Sequence, residues 1–337
     1  ARLSVIGAAP AGHPFDGTVG AGQTVRLFTG SVVPNGADSI LLQEDATRDG
    51  ETLTVNEAVV AGRHIRRAGQ DFSAGDVVVP AGRRLTARDV GLAAAANYPW
   101  LTIHRRPRVA VLATGDEIAM PGEPIPPGGI VSSNSHALAA LVRAGGGDPV
   151  VLPVAKDTRE AIAAVADATT GMDLLVTTGG ASVGDHDLVI AGLQTRGLIV
   201  DFWQIAMRPG KPLLFGRMGA VPVLGLPGNP VSAMVCAILF LLPALARLSG
   251  LPAAPPPTTS ATLGAPVKEN DRRADHLRAT ITWDQAGRIV ATPFPVQDSA
   301  MLARLARADA LILRAPHAPA LPAGAEATII RLDSLGL

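Results

Sequence analysis

Val176-Thr177-Thr178-Gly179-Gly180-Ala181-Ser182-Val183-Gly184-Asp185-His186-Asp187 decides how this chain is read. The apolar run Asp173-Leu174-Leu175-Val176 leads into it and has the character of a buried parallel strand. The strand empties into hydroxyls and glycines, a turn whose backbone N–H groups can face an anion. Two carboxylates, Asp185 and Asp187, follow at once. A divalent cation between those acids and a phosphate neutralises both, so the stretch reads as a phosphate-and-metal site. Read alone, it is equally a tight turn before a helix, with solvated acids, and the surrounding chain has to separate the two.

Outward from this point, strands and helices alternate. Strands are expected over 108–113, 149–154, 174–176 and 222–226, and helices over 135–143, 158–168, 187–195 and 231–247, the last long and apolar. Alternation of this kind marks a doubly wound α/β domain. Before it, short apolar stretches at 24–28, 39–42, 52–55 and 76–79, separated by glycine, proline and acidic turns, predict a small β-rich domain over 1–85. A helical connector over 86–105 follows, with Thr86 as N-cap. Pro252 to Pro257 breaks the pattern and closes the α/β domain at 106–251. Alternating stretches at 276–283, 288–293, 310–314 and 325–331 then predict a small β-barrel or sandwich over 252–337.

The 337 residues, 47% of them hydrophobic, suffice for more than one buried core. Lys plus Arg and Asp plus Glu both total 29, so overall charge points to neither nucleic acid nor an anionic membrane. Cys236 is the only cysteine, which rules out an internal disulfide and suits a reducing, cytoplasmic setting; its apolar helical surroundings imply packing. The uncharged stretch 218–246 is broken by Pro222, Pro227 and Pro230 into a strand and a helix expected to be too short for a bilayer. No signal peptide is read, and a start at Ala1 suggests a chain that begins within a longer protein.

In an open α/β sheet, ligands gather beyond the carboxyl ends of the strands. Three such ends here carry unusual residues: Thr114-Gly115-Asp116-Glu117, the opening motif, and Leu226-Pro227-Gly228-Asn229-Pro230-Val231-Ser232. In the last, Asn229 is expected to cap the helix, Pro230 suits its first turn, and the helix start with the Ser232 hydroxyl favours an anion. Between the last two ends lies Arg208-Pro209-Gly210-Lys211-Pro212, a stiff loop that presents two cations as recognition of a compact oxyanion requires. There is no P-loop, no dinucleotide fingerprint, no nucleophile elbow and no His-Glu-x-x-His. His186 is the one histidine of interest, and a structural or surface role suits it better than that of a base.

Together these motifs resemble those of the molybdopterin molybdotransferases, a family that includes the gephyrin E domain. Thr177 to Asp187 is similar to the molybdopterin-binding signature, and the other three segments are similar to its companion motifs. Phe28-Thr29-Gly30-Ser31-Val32-Val33-Pro34-Asn35-Gly36-Ala37-Asp38 and Ile65-Arg66-Arg67-Ala68-Gly69-Gln70-Asp71 resemble the family's β-domain. The resemblance covers essentially the whole chain. It implies a molybdopterin-binding α/β domain flanked by the β-rich and barrel domains. It also implies an enzyme that takes adenylyl-molybdopterin and molybdate, uses Mg²⁺, releases AMP and leaves molybdenum on the dithiolene.

Carried over by motif, Glu117, Asp157 and Asp187 surround the metal and pyrophosphate, with Asp185 and Ser182 beside them; Glu117, Asp185 and Asp187 are the expected Mg²⁺ ligands. Lys211, Ser232, Arg273 and Ser299 are expected to hold molybdate, with Arg208 nearby. Thr177, Gly179, Gly180, Pro227 and Pro230 belong to the expected substrate surface, and Thr29 closes the pocket from the β-domain. The resemblance implies a homodimer whose cleft includes partner residues, and neither nucleic acid nor membrane as a partner. Two departures stand out. The family's Met-Asp-Gly-Tyr-Ala-like segment, with its site aspartate, is not among these residues, and Arg208 stands where lysine is common. Two other activities share features: a molybdopterin adenylyltransferase, which leaves the flanking domains unexplained, and a gephyrin-like scaffold, which needs an exposed apolar groove.

Overall fold

A computed structural model describes residues 1–179 and 186–336, with only the backbone described for His186 and Asp187. The chain divides into two compact units, Ala1–Val79 and Pro80–Leu337.

In the first unit, β1 (Arg2–Ala9), β2 (Gln23–Leu27), β3 (Ala46–Asp49) and β4 (Thr52–Val55) form one sheet in the order β2-β1-β4-β3. Two expected strands are absent. Over 39–42 only the Ile40 N–H finds a backbone acceptor, Arg63, and the apolar side chains line a hollow against the sheet instead. At 76–79, Asp76 closes a turn, accepting the Ser73 N–H at 2.8 Å. This is the local side-chain bonding through which aspartate competes with a strand ladder.

The second unit opens with α1 (Ala87–Ala95). Thr86 caps it as expected, and Asp89 returns a bond to the Thr86 N–H at 2.7 Å, completing a capping box. The α/β layer follows: β5 (Arg108–Ala113), the short pair β6 (Ile118–Ala119) and β7 (Ile130–Val131), α2 (Asn134–Ala144), β8 (Asp148–Val151), α3 (Arg159–Ala166), β9 (Leu174–Thr178) and α4 (His186–Gln194). Then come β10 (Leu198–Gln204), β11 (Met207–Arg208), β12 (Pro212–Met218), β13 (Val221–Leu226) and α5 (Pro230–Cys236). The helix widens into a π turn over Ala237–Leu241 and ends as α6 (Leu242–Leu248).

The sheet order is β10-β12-β13-β9-β5-β8. Its last four strands are parallel, and β10 and β12 are added antiparallel. Alternate residues of one strand serve opposite cores: Val109 and Val111 pack with α2, α5 and α6, whereas Ala110 and Leu112 pack with α3 and α4. Burial on both faces is why these strands read as unbroken apolar runs, and the layer is doubly wound. The helix expected to be too short for a bilayer is in fact continuous over the 19 residues Pro230–Leu248, with mean hydropathy 2.2. Its side chains Val231, Val235, Ile238, Leu241 and Leu245 instead fill this chain's own core.

The C-terminal part contains β14 (Thr259–Leu263), β15 (Ala274–Trp283), β16 (Ile289–Pro293), α7 (Leu302–Leu305), β17 (Ala310–Arg314) and β18 (Glu326–Arg331). The cycle β15-β16-β14-β18-β17 returns to β15, which closes a five-stranded barrel. The strand β11 joins the barrel edge, setting Arg208 opposite Asp275, so the cationic loop spans the α/β layer and the barrel.

Candidate active site

The carboxyl ends of β5, β9 and β13 knit into one floor. The Thr114 N–H donates to the Thr178 carbonyl at 3.2 Å, and the Gly115 N–H to Ala155 at 3.2 Å. Gly179 follows with φ +99°, and a Cβ there would lie 2.4 Å from the Thr114 carbonyl oxygen, so only glycine fits. Asn134, at the start of α2, ties the next end in: its amide donates to the Thr178 hydroxyl at 2.9 Å and to the Gly228 carbonyl at 2.7 Å. The Thr178 hydroxyl in turn donates to Pro227 at 3.1 Å. Thr177 faces the other way, its hydroxyl packed beside Gly225 within the sheet. The buried Thr114 hydroxyl has no hydrogen-bond partner among the described residues, leaving an unused polar group at the floor.

Acids gather at one side of this floor. The exposed Glu117 carboxylate folds back over Gly115, whose missing side chain leaves the room: a Cβ there would stand 2.6 and 2.8 Å from its two oxygens. From the loop after β8, the Asp157 N–H donates to Asp116 Oδ1 at 3.3 Å, which ties Asp157 to the turn that carries Glu117. Oxygen donors of this kind suit a hard cation such as Mg²⁺. Among the described residues no three His, Cys, Asp or Glu side chains form a ready metal cluster. Gly180, Ser182 and Asp185 lie outside the described residues, as do the side chains of His186 and Asp187.

Hydroxyls and cations gather at the other side. Pro230 opens α5 as expected, but Asn229 corrects the capping expectation. It occupies the N-cap position without a side-chain capping bond, and its amide donates to the Ser299 hydroxyl at 3.0 Å. The Val231 N–H donates to the Ser299 carbonyl at 3.1 Å, so Ser299 from the barrel sits at the helix start one turn from Ser232. The 208–211 loop packs against the same helix through Gly210, where a Cβ would lie 2.4 Å from Cys236 Sγ. Cys236 is therefore a packing residue, and burial pushes its thiol up to about 12, far from reactivity.

The two cations of that loop differ. Lys211 is exposed and has no ion-pair partner among the described residues. Arg208, preceding a cis proline, is engaged by the barrel. Its Nε donates to Asp275 at 3.0 Å, its Nη2 donates to Asp275 and to Asn270 Oδ1, and its Nη1 lies 3.3 Å from Asp271. The bond to Asp275 is the main reason the Arg208 guanidinium is held above its ordinary value. Arg273 pairs with the same Asp271 at 3.0 Å, and chiefly for that reason the Asp271 carboxyl is lowered to about 2.

Behind these residues, Arg278 is 1% exposed and donates to the Asp298 carbonyl at 3.0 Å, while Gln297 bridges to the Arg278 and Phe294 carbonyls. This fixes the segment that carries Ser299. Asn134, Asn270, Asp271, Asp275 and Arg278 were not singled out in the sequence. The one available signal was charge inside an alternating strand, in Arg278. Thr29 lies in the first unit, exposed on a turn where the Phe28 N–H donates to Ser31 Oγ at 3.2 Å. That unit also holds a hollow of about 840 Å³, lined by Leu3, Val5, Leu27, Leu53 and Val55 together with Arg26, Asp38 and Arg48. Like the strand ends, it has no cluster of potential metal ligands among the described residues.

Comparison with known proteins covers both units. Residues 2–97 match the MoeA N-terminal region (domain I and II), 110–247 a probable molybdopterin binding domain, and 260–332 the MoeA C-terminal region (domain IV). A molybdopterin molybdenumtransferase of Nostoc sp. is 36% identical over 253 residues, 74% of this chain and 58% of that protein. One of Haemophilus influenzae is 33% identical over 331 residues, 97% of this chain and 81% of that protein. The chain thus spans little more than half of the Nostoc protein and most of the Haemophilus one. The crystal structure of a molybdopterin biosynthesis MoeA protein from Pyrococcus horikoshii superposes with a TM-score of 0.84 at 29% identity, covering 98% of this chain and 81% of that one. With the same domains in the same order and the signature motifs at the strand ends, this chain belongs to the MoeA family of molybdopterin molybdenumtransferases.

Proposed function

We propose that this protein inserts molybdenum from molybdate into adenylyl-molybdopterin, with Mg²⁺, releasing AMP. The observation that carries the proposal is the continuous floor. Asp157 is tied to Asp116 beside Glu117 at one end, Asn134 joins Thr178 to Gly228 in the middle, and Asn229 ties Ser299 to the start of the helix that carries Ser232 at the other. This supports a reading in which a nucleotide linkage and a small oxyanion lie side by side, with the gain coming from positioning as much as from charge.

Glu117, with Asp185 and Asp187, would hold Mg²⁺, which when bound supplies neutralising charge to the phosphates. Asp157 orients the anhydride beside them. The N–H groups of the glycine turn after β9, including Gly180 and Ser182, receive the terminal phosphate of the pterin. Lys211 and the hydroxyls of Ser232 and Ser299 receive molybdate, and Arg273 neutralises it from the barrel side. The enzyme acts in the cytoplasm as a homodimer. An adenylyltransferase reading leaves the barrel-borne Ser299 without a role. A scaffold reading rests on the hollow of the first unit, whose charged lining suits apolar peptide capture poorly.

AMP release from adenylyl-molybdopterin, measured with and without molybdate and Mg²⁺, tests the proposal. Turnover should need both, Asp187→Asn should abolish it, and Lys211→Ala should raise the molybdate concentration required. Full turnover without molybdate, or an unchanged requirement in Lys211→Ala, refutes it.

A further inference from the structure

Arg208 and Arg273 approach the oxyanion end from different elements and meet at one atom. Asp271 Oδ2 lies 3.3 Å from Arg208 Nη1 and 3.0 Å from Arg273 Nη2. Two guanidinium groups around one acidic oxygen is an arrangement in which proteins hold oxyanions. Here the anion is the protein's own. A tight turn seats it: the Asp271 N–H donates to Asn270 Oδ1, and Asp271 Oδ1 accepts the Arg273 N–H, both at 2.9 Å. The other acid on Arg208 differs in kind, since the Asp275 side chain is 9% exposed and that of Asp271 is 44% exposed. Asp275 is built in, whereas Asp271 stands at the surface, open to water.

We infer that Asp271 sets the affinity of the oxyanion site: its carboxylate occupies the place between Arg208 and Arg273 that an incoming tetrahedral dianion takes, and the dianion binds by displacing it. The inference rests on the molybdate reading above. With Asp271 seated, Asp271 and Asp275 against Arg208, Arg273 and Lys211 leave a net charge of plus one. With Asp271 displaced, Arg208, Arg273 and Lys211 against Asp275 leave a net charge of plus two, matched to a dianion. A monocarboxylate gains little by exchanging with a tethered carboxylate of the same charge, because the tethered one has the advantage of effective concentration. The device therefore also selects for charge.

Equilibrium dialysis of sodium molybdate against the full chain, at one ionic strength, tests this in wild type, Asp271→Asn and Asp284→Asn. Asparagine keeps the acceptor that Arg273 N–H uses and removes only the charge. Asp284, paired with Arg288 on an exposed hairpin, controls for overall charge. Asp271→Asn should bind molybdate about fivefold more tightly than wild type, the scale of removing two exposed ion pairs, with Asp284→Asn unchanged. Equal or weaker binding by Asp271→Asn, where wild type binds, overturns the role of Asp271. So does equal tightening in Asp284→Asn. No binding to any of the three overturns the molybdate reading, and this inference with it.

Discussion

Replacing Gly179 with alanine probes whether the strand ends really form one floor. Two costs combine there. The first is backbone: φ is +99°, and an L side chain in left-handed conformation costs about 1–2 kcal/mol. The second is collision: the new Cβ would stand 2.4 Å from the Thr114 carbonyl oxygen, about 1 Å inside a normal carbon–oxygen contact. That oxygen cannot easily retreat, because Thr114 is buried and its own N–H is bonded to Thr178. Overpacking of this kind costs about 1–3 kcal/mol, for a total of about 2–5 kcal/mol. Two glycines separate the terms. Gly197 also has positive φ, +85°, but open space around it, so Gly197→Ala should show the backbone cost alone. Gly228→Ala meets nothing nearer than the Gly179 Cα at 3.5 Å and should cost under about 1 kcal/mol. Urea unfolding followed by circular dichroism, with unchanged m-values, ranks the three. If Gly179→Ala costs no more than Gly197→Ala, the β5 and β9 ends are not in contact and the floor does not exist.

Asn134→Ala removes both amide bonds across the floor, with the exposed Gly228 carbonyl returning to water; it should lower stability by about 0.5–1.5 kcal/mol, with no loss in urea unfolding contradicting the bridge. Cys236, with its thiol pushed up to about 12, should resist a thiol-reactive disulfide reagent at pH 8 in the folded protein and react fully in urea; prompt native labelling would refute its burial. His276 is held below its ordinary 6.5, mainly by burial, while its bond with the Arg208 carbonyl acts weakly the other way. The unfolded chain therefore binds more protons below pH 6.5, and stability should fall as pH drops from 6.5 toward the lower folded value. His276→Asn should flatten that slope; an unchanged slope would mean His276 is not the group responsible.

The four parallel strands were legible because burial on both faces leaves an unbroken apolar run. The motif residues were legible because hydroxyls, glycines and acids at strand ends have few structural uses. The antiparallel strands β10 and β12 were not, since the Arg-Pro-Gly-Lys-Pro loop interrupts their hairpin and Pro212 opens β12, where it reads as punctuation. Nor could spacing show that Arg208 is engaged: Asp271 and Asp275 lie 63 and 67 residues away and reach it only because the barrel closes and β11 joins its edge. Asn229 misled for a local reason. Its residue type favours capping, but Ser299, from 70 residues onward, offers its side chain a tertiary partner.

If acids and an oxyanion pocket share one floor, anomalous diffraction at the molybdenum edge will locate the pocket. A crystal of the full chain soaked with molybdate should show one strong peak enclosed by Lys211, Ser232, Ser299 and Arg273. A peak on any other surface, or none at a concentration that supports turnover, would contradict it.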